Sequence, residues 1–403
     1  MVFALAAFVT ACGGEREPDR PPYVVRDSAG IEIVESSGPL WPLGQAWQLA
    51  DSPRVVIGLE DGDPRYLLDG VGGAVRLSDG RIVIANTGSV ELRVYDGQGR
   101  YLQTIGRRGG GPGEFRRPDH IRRAAGDTIE VWDAMLGPIS VFDPQGRYVR
   151  RENVDRDRVM DVIGLSRATE RLTPLPDGTF VLHVTLRGNA RERGVLPGVL
   201  YRPPLGFFRF QRDLSSVDSL GWYGGVAQMY LEISGRPVHA LRPVPVHARV
   251  AGGGDPLRVY AGNGEPYEIH SFDSTGRIDR ILRLTNPPVP LSAEEGARIR
   301  QRFFELNPGA EARLRRVMDA MPPQTHYPAY HGLYVDTDGC LWVATYQDGM
   351  HVFDPAGRWL GRLTMPGQPL DIGRDYVLLL ARDSLMVERV KLYDLRRDAP
   401  AAR

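Results

Sequence analysis

One short phrase recurs along the chain and restricts the folds that the chain can adopt. An apolar run ends in an aromatic residue and an aspartate, and a turn of the form Asp-x-x-Gly-Arg follows it. The four complete copies of this turn begin at Asp96, Asp143, Asp273 and Asp354. Asp and Gly recur at such reversals because tight turns need residues that tolerate positive φ or that bond their own backbone. The phrase therefore predicts repeated β-hairpins.

Each copy belongs to a longer repeat of four short strands. Two further strand-like runs precede most copies, joined in the clearest cases by an Asp-Gly turn such as Asp79-Gly80 or Asp338-Gly339. The runs are rich in β-branched and aromatic residues, which favours strands with buried faces. Four short antiparallel strands of this kind make one blade of a β-propeller.

The spacing of the repeats sets the number of blades. Between Asp96 and Asp143 the step is 47 residues, and between Asp354 and a worn copy at Asp394 it is 40 residues, close to the repeat length of known propellers. The 130 residues from Asp143 to Asp273 must therefore contain one more blade, and the next 81 residues contain one blade and an insertion. We predict an all-β chain that forms a six-bladed β-propeller of four-stranded antiparallel blades.

The predicted propeller covers residues 23–398. Its blades are expected near residues 73–106, 120–154, 171–223, 244–285, 330–366 and 370–395. The last of these has too few strands, and an open ring would leave two exposed sheet edges. We therefore expect residues 46–58 to close the ring, with the hairpin over 23–35 outside the ring or on its edge.

The insertion, at about 292–321, is predicted to be helical. Ser292 and Glu295 have the spacing of a capping box, and Ile299 and Phe303 give the following turns an apolar face. A helix pair at this position either covers strand edges or forms a lid over one face of the ring.

The first residues resemble a bacterial lipoprotein signal. Met1 to Thr10 is apolar without interruption, a small residue precedes Cys12, and a polar stretch follows it. The resemblance implies removal of residues 1–11, lipidation of Cys12 and a flexible linker over 12–22. Residue Gly13 after the cysteine favours the outer membrane, facing the periplasm. No Lys or Arg precedes the apolar run, so we expect the basic start of the signal to lie upstream; an apolar end on a cytosolic protein is the alternative.

A second resemblance concerns the repeats themselves. The stretch from Ile105 to Phe115, the following Pro118 to Ile121, and the phrase Val141-Phe142-Asp143 are similar to bacterial six-bladed β-propellers of the NHL and TolB-like type. This resemblance implies the fold, but propellers include binding modules, scaffolds and enzymes alike.

Composition restricts the partners. Lys plus Arg and Asp plus Glu are both 50, giving a formal net charge of zero, which disfavours nucleic acid. We expect a monomer that binds another envelope protein, a peptide or a glycan, and that meets the membrane only through its lipid. The two cysteines, Cys12 and Cys340, are too far apart in sequence to predict a disulfide, and Cys340 is interpreted as a small buried apolar residue.

Two functions remain open at this stage. No phosphate loop, serine elbow or His-Glu-x-x-His helix is present, which favours a non-catalytic binding or scaffolding propeller without a cofactor. The alternative is a metal-dependent propeller enzyme, similar to lactonases or amidating lyases, with its site in the central channel. His120 beside Asp119, His331 and His247 lie near the starts of innermost strands, where such ligands would converge.

Three further features have two interpretations each. The basic turn Arg107 to Gly111 is either an anion site or a connection between blades, and His183 is interpreted as a hydrogen-bonded sheet residue. The aromatic residues Trp41, Trp47, Trp222 and Tyr223 either stack on sugars or wedge blades together.

Overall fold

The structure is a computed structural model that describes these residues: 21–42, 45–133, 137–164, 168–186, 190–306, 311–347 and 349–397. The proposed signal and lipidation residue, Cys12, lie outside them. None of the helices in this part of the chain is both long and apolar enough to cross a bilayer.

The described part of the N-terminal segment contributes four short strands before the first blade, of which the first two pair with each other. Their bounds are β1 (Tyr23–Ser28), β2 (Ile31–Ser36), β3 (Gln48–Leu49) and β4 (Val55–Ile57). A 3₁₀ turn at Pro64–Tyr66 then leads into the ring.

Blades 1 and 2 are consecutive four-stranded antiparallel sheets. Blade 1 contains β5 (Val71–Arg76), β6 (Ile82–Asn86), β7 (Glu91–Tyr95) and β8 (Tyr101–Ile105). Blade 2 contains β9 (Pro118–Arg123), β10 (Ile129–Asp133), β11 (Ile139–Phe142) and β12 (Tyr148–Glu152), with a 3₁₀ turn at Ala125–Asp127.

Blades 3 and 4 are separated by additional elements. Helix α1 (Arg156–Val162) precedes blade 3, which contains β13 (Ala168–Pro174), β14 (Phe180–Leu186), β15 (Pro204–Phe210) and β16 (Val217–Gly224). A separate hairpin of β17 (Gln228–Ile233) and β18 (Arg236–Leu241) follows. Blade 4 contains β19 (Arg249–Gly253), β20 (Arg258–Gly262), β21 (Glu268–Phe272) and β22 (Ile278–Leu284).

Two helices, α2 (Ala293–Leu306) and α3 (Glu311–Ala320), separate blade 4 from blade 5. Blade 5 contains β23 (Gly332–Val335), β24 (Leu341–Ala344), β25 (Met350–Phe353) and β26 (Trp359–Leu363). Blade 6 contributes only β27 (Gln368–Ile372), β28 (Tyr376–Arg382) and β29 (Glu388–Arg396) from the C-terminal side. The predicted fold, a six-bladed propeller with a short helical insertion, is confirmed.

The fourth strand of blade 6 comes from the N-terminal segment. Strand β4 pairs antiparallel with β29, so that Val55 faces Leu392 and Ile57 faces Val390, and β3 pairs with the end of the same strand. The hairpin β1–β2 lies on the outer edge of blade 4, with β2 parallel to β22. Between these points Trp41 N–H donates to the carbonyl of Leu360 in blade 5 at 2.7 Å. The N-terminal segment thus joins blades 4, 5 and 6 in succession.

The hydrophobic core is divided among the interfaces between blades. In the described chain, six clusters of buried apolar side chains each join two neighbouring blades, including blade 6 with blade 1. Successive side chains of a strand point to opposite faces of its sheet, so each blade packs against both neighbours. Burial between the blades therefore stabilises the ring.

The repeated turn is organised by its aspartate. Asp143 accepts the backbone N–H groups of Gln145 and Arg147 at 3.0 and 2.9 Å and the Arg147 Nε at 2.7 Å. These bonds, the Arg147 backbone N–H foremost, hold the pKa of Asp143 below its usual range. Gly146 adopts φ 82°, and the same arrangement occurs at Asp96.

The helical insertion packs against a hairpin from an earlier part of the chain. The Ser292 hydroxyl accepts the Glu295 N–H at 3.1 Å and caps α2. The helices and the hairpin β17–β18 enclose a separate apolar cluster that includes Met229, Phe304 and Val317. The hairpin was not predicted, because it repeats no part of the blade pattern.

We predict that Gly146→Ala lowers the free energy of unfolding by about 1–3 kcal/mol, because a non-glycine residue is strained in the left-handed backbone conformation with positive φ. In addition, a Cβ at this position would lie 2.5 Å from Ile105 Cδ1 in blade 1. Urea denaturation of the purified protein measures the change.

The matched control is Gly296→Ala in α2, where nothing lies within 4 Å of an added Cβ. This variant should be neutral or more stable by about 0.5–1 kcal/mol, because alanine favours a helix. Equal stability of Gly146→Ala and the wild type would contradict the role assigned to this turn.

Candidate functional site

The inner strands surround a central cavity of about 840 Å³. Its lining comes from blades 2 to 6, and its polar side chains include His120, Arg171, His183, His247, Arg249, His331, Tyr334 and Gln368. These residues are separated by up to 248 positions in sequence and are brought together only by the closure of the ring. We call this space the central cavity.

The cavity lies away from blade 1. A Cβ on Gly72 of β5 would come within 2.7 Å of the Pro118 carbonyl oxygen in β9, so the two inner strands are in direct contact at this point. None of the described lining residues belongs to β5. Small residues in blade 1 thus allow close packing of the ring and shift the open space toward the other blades.

Two arginines give the cavity its charge. Within the described chain, neither Arg171 nor Arg249 forms an ion pair, and the buried Nε of Arg249 has no hydrogen-bond partner. Burial lowers the pKa of Arg249, and the nearby Arg171 lowers it further. A partly buried guanidinium without a counter-charge, as at Arg249, is costly, and the exposed Arg171 adds a second positive charge to the same cavity. The pair therefore favours an anionic ligand.

The only described carboxylate that lines the cavity does not neutralise these arginines. Asp371 accepts the backbone N–H of Arg76 at 3.0 Å and the Tyr376 hydroxyl at 2.8 Å. Burial raises the pKa of Asp371, which favours its uncharged form. The cavity therefore has a positive electrostatic potential.

The imidazoles of the cavity are held neutral. Burial, followed by the charge of Arg171, lowers the pKa of His183 to about 3. Burial and Arg249 lower the pKa of His247 to about 4, and burial also lowers the pKa of His120 and His331. These rings provide neutral hydrogen-bonding groups beside the two permanent cations.

The hydrogen bonds of the imidazoles leave free ring nitrogens. His183 Nε2 lies 2.9 Å from the Thr173 hydroxyl, in agreement with its interpretation as a hydrogen-bonded sheet residue. His331 Nε2 donates to the Thr345 carbonyl at 3.2 Å. Within the described chain, His120 Nε2 and His247 Nδ1 are buried without a partner. Both nitrogens are available to a ligand.

Only some of the residues that the sequence suggested as metal ligands lie in the same cavity. His120, His247 and His331 line the central cavity. Asp119 is not among its lining residues, and its carboxylate lies 3.4 Å from Arg117 Nε. No group of three or more His, Cys, Asp or Glu side chains suited to a metal ion occurs in the part of the chain that the structure describes.

Other sequence candidates have structural roles. In the basic turn, Glu114 accepts hydrogen bonds from Arg107 Nε and from the Gly111 N–H, both at 2.9 Å. The Glu114 carboxylate therefore occupies the place that a bound anion would take. Burial raises the pKa of Cys340 to about 12, which keeps the thiol protonated and supports its interpretation as an apolar core residue.

Of the aromatic residues considered for sugar binding, three pack inside the protein and one is exposed. Trp41 packs on Trp47 with ring centroids 5.3 Å apart, and Trp47 lies 5.7 Å from Trp342. Tyr223 is buried against Phe207. Trp222 is 46% exposed and remains available for contact with a ligand.

Sequence reasoning missed Arg171 and Arg249. The sequence signal that could have indicated them is an arginine within each innermost strand, where most neighbouring residues are apolar or small. Blade boundaries alone place these residues near the axis, but their convergence on one cavity requires the ring geometry.

The comparisons with known proteins agree with this architecture. The chain is a six-bladed β-propeller, and residues 63–168 match the model of a family described as a 6-bladed beta-propeller. No curated protein sequence matches the chain.

The chain is also similar to solved structures at low sequence identity. A DUF4221 family member from Bacteroides vulgatus is 11% identical, with 88% of this chain and 99% of that chain covered and a TM-score of 0.47. A Bacteroides fragilis protein thought to be exported is 14% identical (90% and 99% covered, TM-score 0.43). A gluconolactonase from Xanthomonas campestris is also 14% identical (89% and 98% covered, TM-score 0.40). Nothing about ligands follows from these similarities.

We predict that the free energy of unfolding falls as the pH is lowered from about 7 to about 5. The folded pKa values of His183 and His247 lie below the unfolded value of about 6.5. The unfolded chain therefore binds more protons in this range, and stability is lost as pH falls. Urea denaturation at the two pH values measures the effect.

His247→Gln should reduce this pH dependence, because it removes one buried imidazole. The control is His326→Gln, at an exposed residue outside the central cavity, which should leave the pH dependence unchanged. Equal stability of the wild-type protein at both pH values would refute the assignment of neutral buried imidazoles.

Proposed function

We propose that the protein is a non-catalytic binding propeller of the bacterial cell envelope whose central cavity binds a carboxylate-bearing peptide or glycan. The observation that carries this proposal is the pair Arg171 and Arg249, which face one cavity without a described acidic partner. A carboxylate would provide the missing counter-charge and could accept paired hydrogen bonds from a guanidinium.

The neutral imidazoles support the same ligand. The free nitrogens of His120 and His247 can donate hydrogen bonds to a bound carboxylate when they carry the ring proton. Tyr334 and Gln368 add polar groups to the wall. A cavity of about 840 Å³ is within the size range of small-molecule sites, and it holds the terminal part of a larger peptide or glycan.

The alternative is a metal-dependent hydrolase or lyase that uses His120 and His331. Metal analysis of the purified protein tests it. A stoichiometric metal that is lost in both His120→Ala and His331→Ala would favour this alternative over the binding module.

We predict that Arg249→Gln and Arg171→Gln each weaken the binding of carboxylate ligands at least tenfold, about 1.4 kcal/mol. Isothermal titration calorimetry is done with citrate, a tetraglutamate peptide and trigalacturonic acid. Citrate tests the shared carboxylate chemistry, and the other two ligands distinguish a peptide from a glycan.

The matched control is Arg107→Gln, because the Arg107 side chain is 81% exposed and lies in the basic turn outside the cavity. Its affinities should equal those of the wild type. Absence of binding to all three ligands, or equal weakening by all three substitutions, would disprove the proposed site.

The envelope location rests on the N-terminal motif around Cys12. We predict that Cys12→Ser moves the protein from the membrane fraction to the soluble fraction of the cells, because acyl chains provide the attachment. Cell fractionation and immunoblotting measure the distribution, with Cys340→Ser as the control that should remain membrane-bound. Continued membrane association of Cys12→Ser would exclude the lipid anchor.

A further inference from the structure

A second cavity, of about 870 Å³, lies at the base of the helical insertion. We call it the side pocket. Most of its wall comes from four segments: Glu265–Tyr267 in blade 4, Asn286–Pro290 before α2, and residues 326–329 and 345–347 around blade 5. It is distinct from the central cavity, with which it shares only Thr345 among the described lining residues.

The backbone around the side pocket is fixed by hydrogen bonds. The segments that enter and leave the insertion pair with each other, since Leu291 N–H donates to the Thr325 carbonyl and Tyr327 N–H donates to the Val289 carbonyl, both at 2.9 Å. Ala329 N–H donates to the Gly264 carbonyl of blade 4 at 2.8 Å. The walls are therefore held in place without a ligand.

The lining of the side pocket is mainly apolar and aromatic. Five of its residues are prolines: Pro266, Pro287, Pro288, Pro290 and Pro328. The Tyr327 and Tyr346 rings stack with centroids 5.3 Å apart at an interplanar angle of 27°. On another wall, Tyr267 stacks on His351 at 5.6 Å and 14°. Two aromatic pairs therefore contribute to one cavity.

The tyrosine hydroxyls are already bonded to the protein. Tyr346 donates to the Pro245 carbonyl at 3.2 Å, and the Tyr267 hydroxyl lies 3.0 Å from His351 Nδ1. The tyrosines consequently offer ring surface to a ligand, and proline rings pack well against aromatic rings.

The side pocket differs from the central cavity in charge. Its ionisable lining groups have both signs, with Glu265 and Arg362 among them. Burial raises the pKa of Glu265, which favours the uncharged carboxyl. No uncompensated pair of cations comparable to Arg171 and Arg249 lines the described part of this pocket.

From the stacked tyrosines, the proline walls and the bonded hydroxyls, we infer that the side pocket binds an uncharged aromatic small molecule. The ligand stacks against the tyrosine rings and buries its apolar surface against the prolines. The volume accommodates a molecule of two or three fused or linked rings. This site is independent of the carboxylate site in the central cavity.

The test is a fluorescence titration of the full protein with N-phenyl-1-naphthylamine, a neutral aromatic probe. We expect saturable binding of one probe per protein. Tyr346→Leu replaces one aromatic ring by an aliphatic side chain. Pro288→Trp places a bulky ring at an exposed position in the pocket lining. Each should weaken binding at least tenfold while circular dichroism shows the folded protein.

The control for non-specific adsorption is Leu385→Ala, at an apolar residue that is 69% exposed elsewhere on the surface; its affinity should equal that of the wild type. Arg249→Gln and an excess of citrate should leave probe binding unchanged, which separates this site from the central cavity. Non-saturable binding, wild-type affinity in both pocket variants, or displacement of the probe by citrate would overturn the inference.

Discussion

The packing of the ring depends on a close contact between the turn of one blade and the outer strand of the preceding one. At Gly99, Gly146, Gly276 and Gly357, an added Cβ would lie 2.5–2.8 Å from Val55, Ile105, Asp218 and Arg280, respectively. In each case the contacted residue belongs to the fourth strand of the neighbouring blade. The aspartate of the turn fixes the loop and the glycine permits the approach. A local sequence motif thereby sets a distance between blades.

This coupling explains why the fold could be predicted and the site only in part. The turn at Asp143 and the spacing to its copies are local signals, so blade number and ring closure follow from the sequence. The hairpin β17–β18 has no counterpart in the repeats, since it packs on α3 instead of a blade. Arg171 and Arg249 come together because the ring is curved. Their proximity cannot be predicted from the spacing of residues along a single strand.

The two cavities differ because of the residues that each blade contributes. In the central cavity, desolvation and like charge act together, so the imidazoles stay neutral while the guanidinium groups of Arg171 and Arg249 remain unpaired in the described chain. In the side pocket, hydrogen bonds within the protein occupy the tyrosine hydroxyls and leave ring surface. Tyr346 contacts both regions, because its ring lies 4.7 Å from that of His331 and 5.3 Å from that of Tyr327.

The pairing of β4 with β29 also determines when the ring can form. Strand β4 at residues 55–57 is synthesised well before its partner strand at residues 388–396, so the sheet of blade 6 is incomplete until that partner strand is available. Contacts of such long sequence separation form slowly, because loop-closure entropy opposes them. Until β29 is available, blade 1 lacks one of its two final neighbours, blade 6, and the ring remains open. The ring therefore closes only after β29 is free to fold.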